Sequence, residues 1–247
     1  MRFCARFIGL ALILLGCEPE ALGAKGTNRD FDWGSLTEMI PMPVYPFDAL
    51  LHKKHGTVAL ECTVDPQGRL LHATVLKSDG PEFVGATLAY LEPMAFSVPA
   101  KAAKNSEGQP LISYEITFDE SKCEGAHRLM TCPSDSAKRI VAALREDPTG
   151  KQFSRVKMLD EALVPIARAA PFFPMSLREK ASTGSAVIEF YIDEDGRVVL
   201  PRIVSASDEA FGYAACQSIN GWRFKPPLRG GKPTVVKVRT PVDFTLQ

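Results

Sequence analysis

Two groups of residues have side chains that could hold a metal ion. His52 and His55 are separated by one helical turn, and Cys123, His127 and Cys132 follow one another within ten residues. Imidazole nitrogens and thiolates are the preferred ligands of zinc. The histidine pair has no third ligand at a suitable spacing, and the second group lacks both a fourth ligand and a paired-cysteine motif. We therefore expect no metal and no cofactor.

A catalytic constellation is not expected either. Glu61 and Glu189 could be taken for an acid and base pair, but they occupy the same position, on the polar face of the first strand, in two related segments that lie 128 residues apart. The repeat by itself explains the pair, and nothing in the sequence brings the two carboxyl groups to one site, as acid–base catalysis requires. The sequence also has no Gly-x-Ser-x-Gly, phosphate-binding or dinucleotide-binding motif. The expectation is a protein that is not an enzyme.

The first residues form an export signal. Two arginines precede a ten-residue apolar run, Phe7 to Gly16, which is too short to span a bilayer and is typical of a secretory signal. The sequence Leu-Leu-Gly-Cys that ends at Cys17 resembles the lipobox of bacterial lipoproteins, which implies acylation of Cys17. The alternative is ordinary cleavage after Gly23. By resemblance, Glu18 after the cysteine favours the outer membrane, so we expect a periplasmic protein with a lipid anchor there.

Export places the remaining cysteines in an oxidising compartment. With Cys4 removed and Cys17 lipidated, four cysteines are left, and four allow three pairings. A local disulfide between Cys123 and Cys132 is the simplest choice. Cys62 and Cys216 lie in apolar patterns and are expected in the core.

Composition excludes several classes of protein. The chain has 247 residues, with 29 Lys and Arg against 29 Asp and Glu, 45% hydrophobic residues and 23% charged residues. A balanced charge argues against a nucleic-acid partner, and these proportions are those of an ordinary globular protein.

The chain repeats itself at an offset of 128 residues. Eleven of the 58 positions from Pro43 to Ala100 are identical to their counterparts from Pro171 to Leu228, without a gap. The matches include turn residues and aromatic positions, so the two halves share one fold.

Each copy is predicted to form a short helix, a β-hairpin, a second helix and a closing strand. In the second copy the residues from Ala186 to Ile192 alternate as in a strand, and Asp193-Glu-Asp-Gly196 supplies a tight turn. Pro201 suggests a bulge or an edge position in the returning strand. Ser207-Asp208-Glu209 supplies a helix start, and the residues from Val236 to Leu246 alternate again. Residues 120–170 predict a helical connector that packs on the domains, because its segments 136–146 and 153–170 carry apolar residues at helical spacing.

The ordered set of motifs in the second copy resembles the TonB carboxy-terminal domain. It consists of Pro171-x-x-Pro174, the hairpin with Asp193 and Gly196, the helix with Phe211 and Ala214, Trp222-Arg-Phe-Lys-Pro226 and the closing strand. The resemblance implies an α+β fold with an antiparallel sheet in each domain. The expected organisation is an export signal at 1–16, an N-terminal tether at 17–40, a first and divergent TonB-like domain at 41–119, the connector at 120–170 and a second TonB-like domain at 171–247.

The resemblance implies a function in binding, by addition of a short segment of another protein, such as an outer-membrane receptor, as a strand. The closing strand would be the binding strip, with Lys237 and Arg239 on its solvent face, and Pro241 fits a sheet edge. Two alternatives are open: a structural envelope protein whose domains pair with each other and leave no free edge, and a protein in which only residues 171–247 bind. Energy transduction is not expected, because an energy transducer of this family has a transmembrane helix and a Pro-rich spacer. The expected peptide-binding residues are Val235, Val236, Lys237, Val238, Arg239, Thr240 and Val242.

Overall fold

A computed structural model describes residues 42–121 and 129–246. The predicted export signal, the predicted lipidation site Cys17, the predicted tether and Cys123 lie outside the described residues. Cys132 is described, with its thiol 3.5 Å from the carbonyl oxygen of Asp119. The disulfide between Cys123 and Cys132 therefore stays a prediction.

The repeat of the sequence is a repeat of the fold, as predicted. The first copy and the segment that follows it contain α1 (Phe47–Leu51), β1 (Gly56–Val64), β2 (Leu70–Ser78), α2 (Pro81–Leu91), β3 (Ala103–Lys104), β4 (Pro110–Phe118), β5 (Leu129–Thr131), α3 (Asp135–Glu146) and β6 (Ser154–Arg155). The rest of the connector and the second copy contain β7 (Pro165–Ala167), β8 (Thr183–Ile192), β9 (Val198–Ala206), α4 (Glu209–Asn220), β10 (Arg223–Phe224), β11 (Leu228–Arg229), β12 (Lys232–Pro233) and β13 (Val236–Thr245).

Each copy builds its own sheet around a central hairpin strand. The first sheet has the order β2-β1-β4-β3, with β5 beside β4, and the second has the order β6-β13-β8-β9. Pairing is antiparallel except for β5 and β6, which lie parallel to their neighbours. The register is the same in both copies, since Gly56 faces Phe118 and Gly184 faces Phe244. Among the described residues, no strand of one sheet pairs with a strand of the other.

The hairpin turns confirm the assignment made from Asp and Gly. Asp193 accepts hydrogen bonds from the backbone N–H groups of Asp195 and Arg197 at 3.0 and 2.8 Å. Gly196 has φ of +80°, and a Cβ there would overlap the carbonyl oxygen of Phe224. Only glycine satisfies both conditions. Gly68 repeats this arrangement in the first copy with φ of +78°.

Other local predictions for the second copy are also confirmed. Asp208 caps α4 by accepting from the N–H of Ala210 at 2.9 Å. β9 is an edge strand with a register irregularity near Pro201, and Leu200 beside it has φ of +55°. The opening helix is shorter than expected, a single 3-10 turn at Met175–Leu177. Cys216 is buried in the second core, as Cys62 is in the first.

Among its described residues, the connector has an α-helix only in its first half, and the second half has a single 3-10 turn at Val156–Met158. Ser134 caps α3, whose apolar face is buried through Ala137, Ile140, Val141 and Leu144. The expected helix over 153–170 is wrong. Ser154 donates its N–H to the carbonyl oxygen of Val235 at 3.0 Å and begins a short strand beside β13, and Pro165 lies in β7. Backbone pairing with the second domain replaces helical hydrogen bonds there, and proline opposes a continuing helix.

The two copies pack against each other through side chains. Helices α2 and α4 lie in contact, with Tyr213 seated over Gly85. The Gln217 amide accepts from the N–H of Val44 and donates to the carbonyl oxygen of Met42. Tyr191, Val199 and Leu200 of the second copy join the core formed by the first copy and α3. The two domains therefore form one packed body.

Within the part of the chain that the structure describes, no helix is both long and apolar enough to cross a membrane.

Candidate functional site

Strand β13 is the candidate site, and its two edges differ. On one side all ten residues pair with β8 without interruption. On the other side only Val236 and Lys237 pair, with Ser154 and Arg155 of β6. Within the described residues, the eight positions 238–245 have no strand on that outer side.

The register fixes which backbone groups face the open side. The N–H of Leu246 donates to Ser182 across the β8 side, while the carbonyl oxygen of Val235 accepts from Ser154 on the outer side. Because the N–H and C=O groups of one strand residue point the same way and alternate along the chain, odd-numbered residues of β13 face outward. Arg239, Asp243 and Thr245 each present an N–H and a C=O group there.

Pro241 falls at one of these outward positions. Its missing N–H therefore costs no bond to β8, which explains how a proline is tolerated in a strand paired along its whole length. The edge nevertheless keeps its acceptor, the carbonyl oxygen, which receives the Thr240 hydroxyl at 3.3 Å.

The equivalent strand of the first copy is covered more fully. β3 pairs with Pro110 and Leu111 at the start of β4, and β5 pairs with residues 116–118 at its end. Four residues, 112–115, remain between them on the outer side. An extended segment thus meets twice as long an open edge on β13 as on β4.

A buried carboxylate lies on β8, directly across from Arg239 of β13. Glu189 is 3% exposed and forms ion pairs with Arg202 at 2.6 Å, Lys237 at 3.0 Å and Arg239 at 3.1 Å. Burial by itself raises the pKa of Glu189, but the hydrogen bond from Lys237 and the charges of the neighbouring cations outweigh it, and the pKa lies below its usual value. One carboxylate thereby connects three neighbouring strands of the sheet.

This cluster corrects two expectations. Glu189 does not lie on a solvated polar face, because Tyr191 on the same side of the strand packs into the shared core. Lys237 is not fully on the solvent face either, since its side chain is 24% exposed and ion-paired; the Arg239 side chain is 57% exposed. The burial of Glu189 and Lys237 could not be predicted from the alternation of residues along the strand, because alternation does not show that a second layer covers the sheet. The one available signal was a glutamate between apolar residues of a strand.

The expected binding residues therefore divide by face. Val236 and Val242 are buried in the second core, and Val235, Val238 and Thr240 are half-buried. Their side chains contribute to packing. An incoming strand would instead meet the outward backbone groups of Arg239, Asp243 and Thr245. The structure brings Lys237 and Arg239 together through Glu189.

Other candidate residues from the sequence lie elsewhere. Trp222 is buried in the second core and donates its indole N–H to the carbonyl oxygen of Ala169 at 2.9 Å, so it holds the segment after α4 against the end of the connector. In the described ranges no group of three or more His, Cys, Asp or Glu residues could hold a metal ion.

Comparison with known proteins identifies the fold family. The family described as the Gram-negative bacterial TonB protein C-terminal matches residues 41–119 and residues 169–246. Protein TonB of Vibrio cholerae serotype O1 (strain ATCC 39315 / El Tor Inaba N16961) is 25% identical over 91 residues, which are 36% of this chain and 37% of that protein. The chain thus spans a little over a third of the length of this curated relative.

Two solved structures are also similar. The solution structure of the TonB carboxy-terminal domain of Pseudomonas aeruginosa is 22% identical, with 36% of this chain and 88% of that one covered and a TM-score of 0.29. The TonB2 protein of Vibrio anguillarum is 24% identical, with 34% and 81% covered and a TM-score of 0.27. Because the family match spans both copies and most of the chain, this protein belongs to the TonB C-terminal family, with two copies of the domain in tandem.

Proposed function

We propose that the protein binds an extended segment of another envelope protein, which adds as a strand to the open edge of β13. The observation that carries this proposal is the run of eight residues, 238–245, on whose outer side no strand lies within 42–121 and 129–246. Strand addition needs unpaired backbone groups on a preformed sheet, and the pairing to β8 holds β13 in an extended conformation before a ligand arrives.

The second domain is the proposed binding domain. In the first domain β3 and β5 take up both ends of the corresponding edge. We place the protein in the periplasm, held by a lipid on Cys17, where a segment of an outer-membrane receptor is the partner that the family resemblance suggests. In this proposal the protein acts by binding and has no catalytic step.

Asp243→Pro is the variant that tests this function. Asp243 is exposed, and its N–H faces outward, so proline removes one donor to an incoming strand without removing a bond to β8. The loss of one such hydrogen bond weakens binding by about tenfold. The first measurement is the recovery of partner proteins from envelope extract. The second is hydrogen exchange of the wild-type complex, in which the bound strand should protect the amides of Arg239, Asp243 and Thr245.

Two matched controls accompany it. Asp243→Asn keeps the N–H and should bind like the wild type. Ser113→Pro removes an outward N–H from the partly covered edge of the first domain and should also bind normally. If Asp243→Pro recovers the same partners in the same amounts, strand addition at β13 is wrong.

The second candidate function is a structural role in the envelope with no ligand strand. It is favoured by the packing of α2 on α4, which joins the two domains through helices. Hydrogen exchange on the isolated protein discriminates between the two functions. Rapid exchange at Arg239 and Asp243 supports an open edge, whereas uniform protection along β13 supports the structural role.

A further inference from the structure

A ribbon made of connector residues 155–168 and second-domain residues 223–233 carries an excess of positive charge. It contains two acidic residues, Asp160 and Glu161. Its seven cationic residues are all exposed: Arg155, Lys157, Arg168, Arg223, Lys225, Arg229 and Lys232. The described residues outside the ribbon have 16 Lys and Arg against 21 Asp and Glu. The overall neutrality of the chain therefore conceals a local surplus of five positive charges.

Backbone hydrogen bonds hold the two segments side by side. Lys225 donates its N–H to the carbonyl oxygen of Val164, and Asp160 donates its N–H to that of Leu228, both at 2.9 Å. The Asp160 carboxylate also accepts the N–H groups of Gly230 and Gly231 at 2.8 Å each. One of the two acids is thus engaged with the backbone of the β11–β12 hairpin, and the ribbon is a built surface.

The ribbon has an inner and an outer face. Leu159, Leu163 and Phe224 pack on the second core. Five large apolar side chains of the ribbon are instead exposed, among them Ile166 at 66% and Val156 at 45%. They are half of the ten exposed large hydrophobic residues in the described part of the chain: Val156, Met158, Val164, Ile166 and Leu228. Apolar and cationic side chains are therefore interspersed on one exposed ribbon.

We propose that this basic ribbon docks on the surface of a membrane that contains anionic lipids. Cations near such a surface are attracted to its headgroups, and aliphatic side chains between them can enter the boundary with the acyl chains. A nucleic acid would use the cations but offers no apolar phase to Ile166 and Val156. The proposal goes beyond strand addition, because none of these residues belongs to β13.

Vesicle sedimentation tests the proposal. The chain from Glu18 onward lacks the lipidation site and keeps every described residue, and it is mixed with vesicles of phosphatidylcholine, alone or with phosphatidylglycerol. We expect binding only to the mixed vesicles, weakened by salt. Lys157→Glu, Lys225→Glu and Lys232→Glu together should lower the partition coefficient by roughly a hundredfold, because the loss of each cation lowers it by about fivefold.

Three reversals in the first domain provide the matched control. Lys77→Glu, Lys101→Glu and Lys104→Glu change the net charge equally at exposed positions outside the ribbon and should leave most of the binding intact. Ile166→Ser should weaken the part of the binding that survives high salt. Asp243→Pro should bind vesicles like the wild type, which separates this proposal from strand addition.

Three results would overturn the proposal. They are equal binding to vesicles of phosphatidylcholine alone, an equal loss in the first-domain control, and absence of binding to the mixed vesicles, including the case in which the ribbon captures an acidic protein instead.

Discussion

Tyr213 of the second copy lies directly against the backbone of Gly85 in the first, so that a Cβ at residue 85 would overlap the Tyr213 ring. The offset of 128 residues aligns these two positions with each other. The same place in the repeat thus carries the smallest residue in one helix and a large one in the other. The two copies differ there in complementary ways, which allows α2 and α4 to approach.

Gly85→Ala should destabilise the protein by about 1–3 kcal/mol, although alanine normally favours a helix over glycine by about 1 kcal/mol. The reason is overlap with the Tyr213 ring. Chemical denaturation measures the change. A double-mutant cycle supplies the control, since in a Tyr213→Ala background the same substitution should be neutral or stabilising. A loss of equal size in both backgrounds would contradict this packing.

Glu189→Gln should cost about 2–4 kcal/mol of unfolding free energy, because it leaves three cations beside a buried amide in place of a carboxylate. Glu61→Gln is the matched control. It changes the same position of the repeat, where the side chain is half-buried, and should stay within about 0.5 kcal/mol of the wild type. Similar losses at both positions would show that the Glu189 cluster does not stabilise the fold.

Acid should destabilise the wild type more than Glu189→Gln. The pKa of Glu189 is lowered in the folded state, so its contribution is present above the ordinary value of 4.5 and is lost as the pH falls through the lower folded value. Thermal midpoints between neutral pH and pH values below 4.5 measure this difference. Asp65, Asp147, Asp160 and Glu194 also have lowered pKa values, so the variant should keep part of the acid sensitivity. Parallel curves for the two proteins would be inconsistent with this role.

Gly196→Ala should destabilise the second domain by about 2–4 kcal/mol, since a side chain there meets both the positive φ and the carbonyl oxygen of Phe224. Gly230→Ala separates these causes. Gly230 has φ of +60° but nothing within 4 Å of a Cβ, so only the conformational cost of about 1 kcal/mol applies. Urea denaturation compares the two variants. A smaller loss at Gly196 than at Gly230 would be contrary to this explanation.

Much of the fold was predictable because its signals are local. The side chain of Asp193 and the backbone of Gly196 determine the turn that contains them. Asp208 caps the helix that begins at the next residue. The closing strand was predictable from its alternation. The second half of the connector was not, because its short strands β6 and β7 pair with β13 and β10, which lie far away in the sequence.

The candidate site was predictable as a strand at a sheet edge, from its alternation and Pro241, but the backbone groups that face outward were not. Sequence alternation shows which side chains share a face, whereas Arg239 and Asp243 contribute to the edge through their backbone. Backbone direction depends on which neighbour takes each side, and only the pairing with β8 and β6 decides that.

By itself, the sequence determined that the chain contains two copies of one α+β domain, since repetition, turn residues and alternation are properties of order along the chain. The tertiary structure decided the differences between the copies: a long open edge on β13 and a partly covered one on β4, a buried Glu189 and a half-buried Glu61, and a basic ribbon assembled from two distant segments. These differences arise from what packs beside each copy, and contacts between distant residues leave no periodic mark in a sequence.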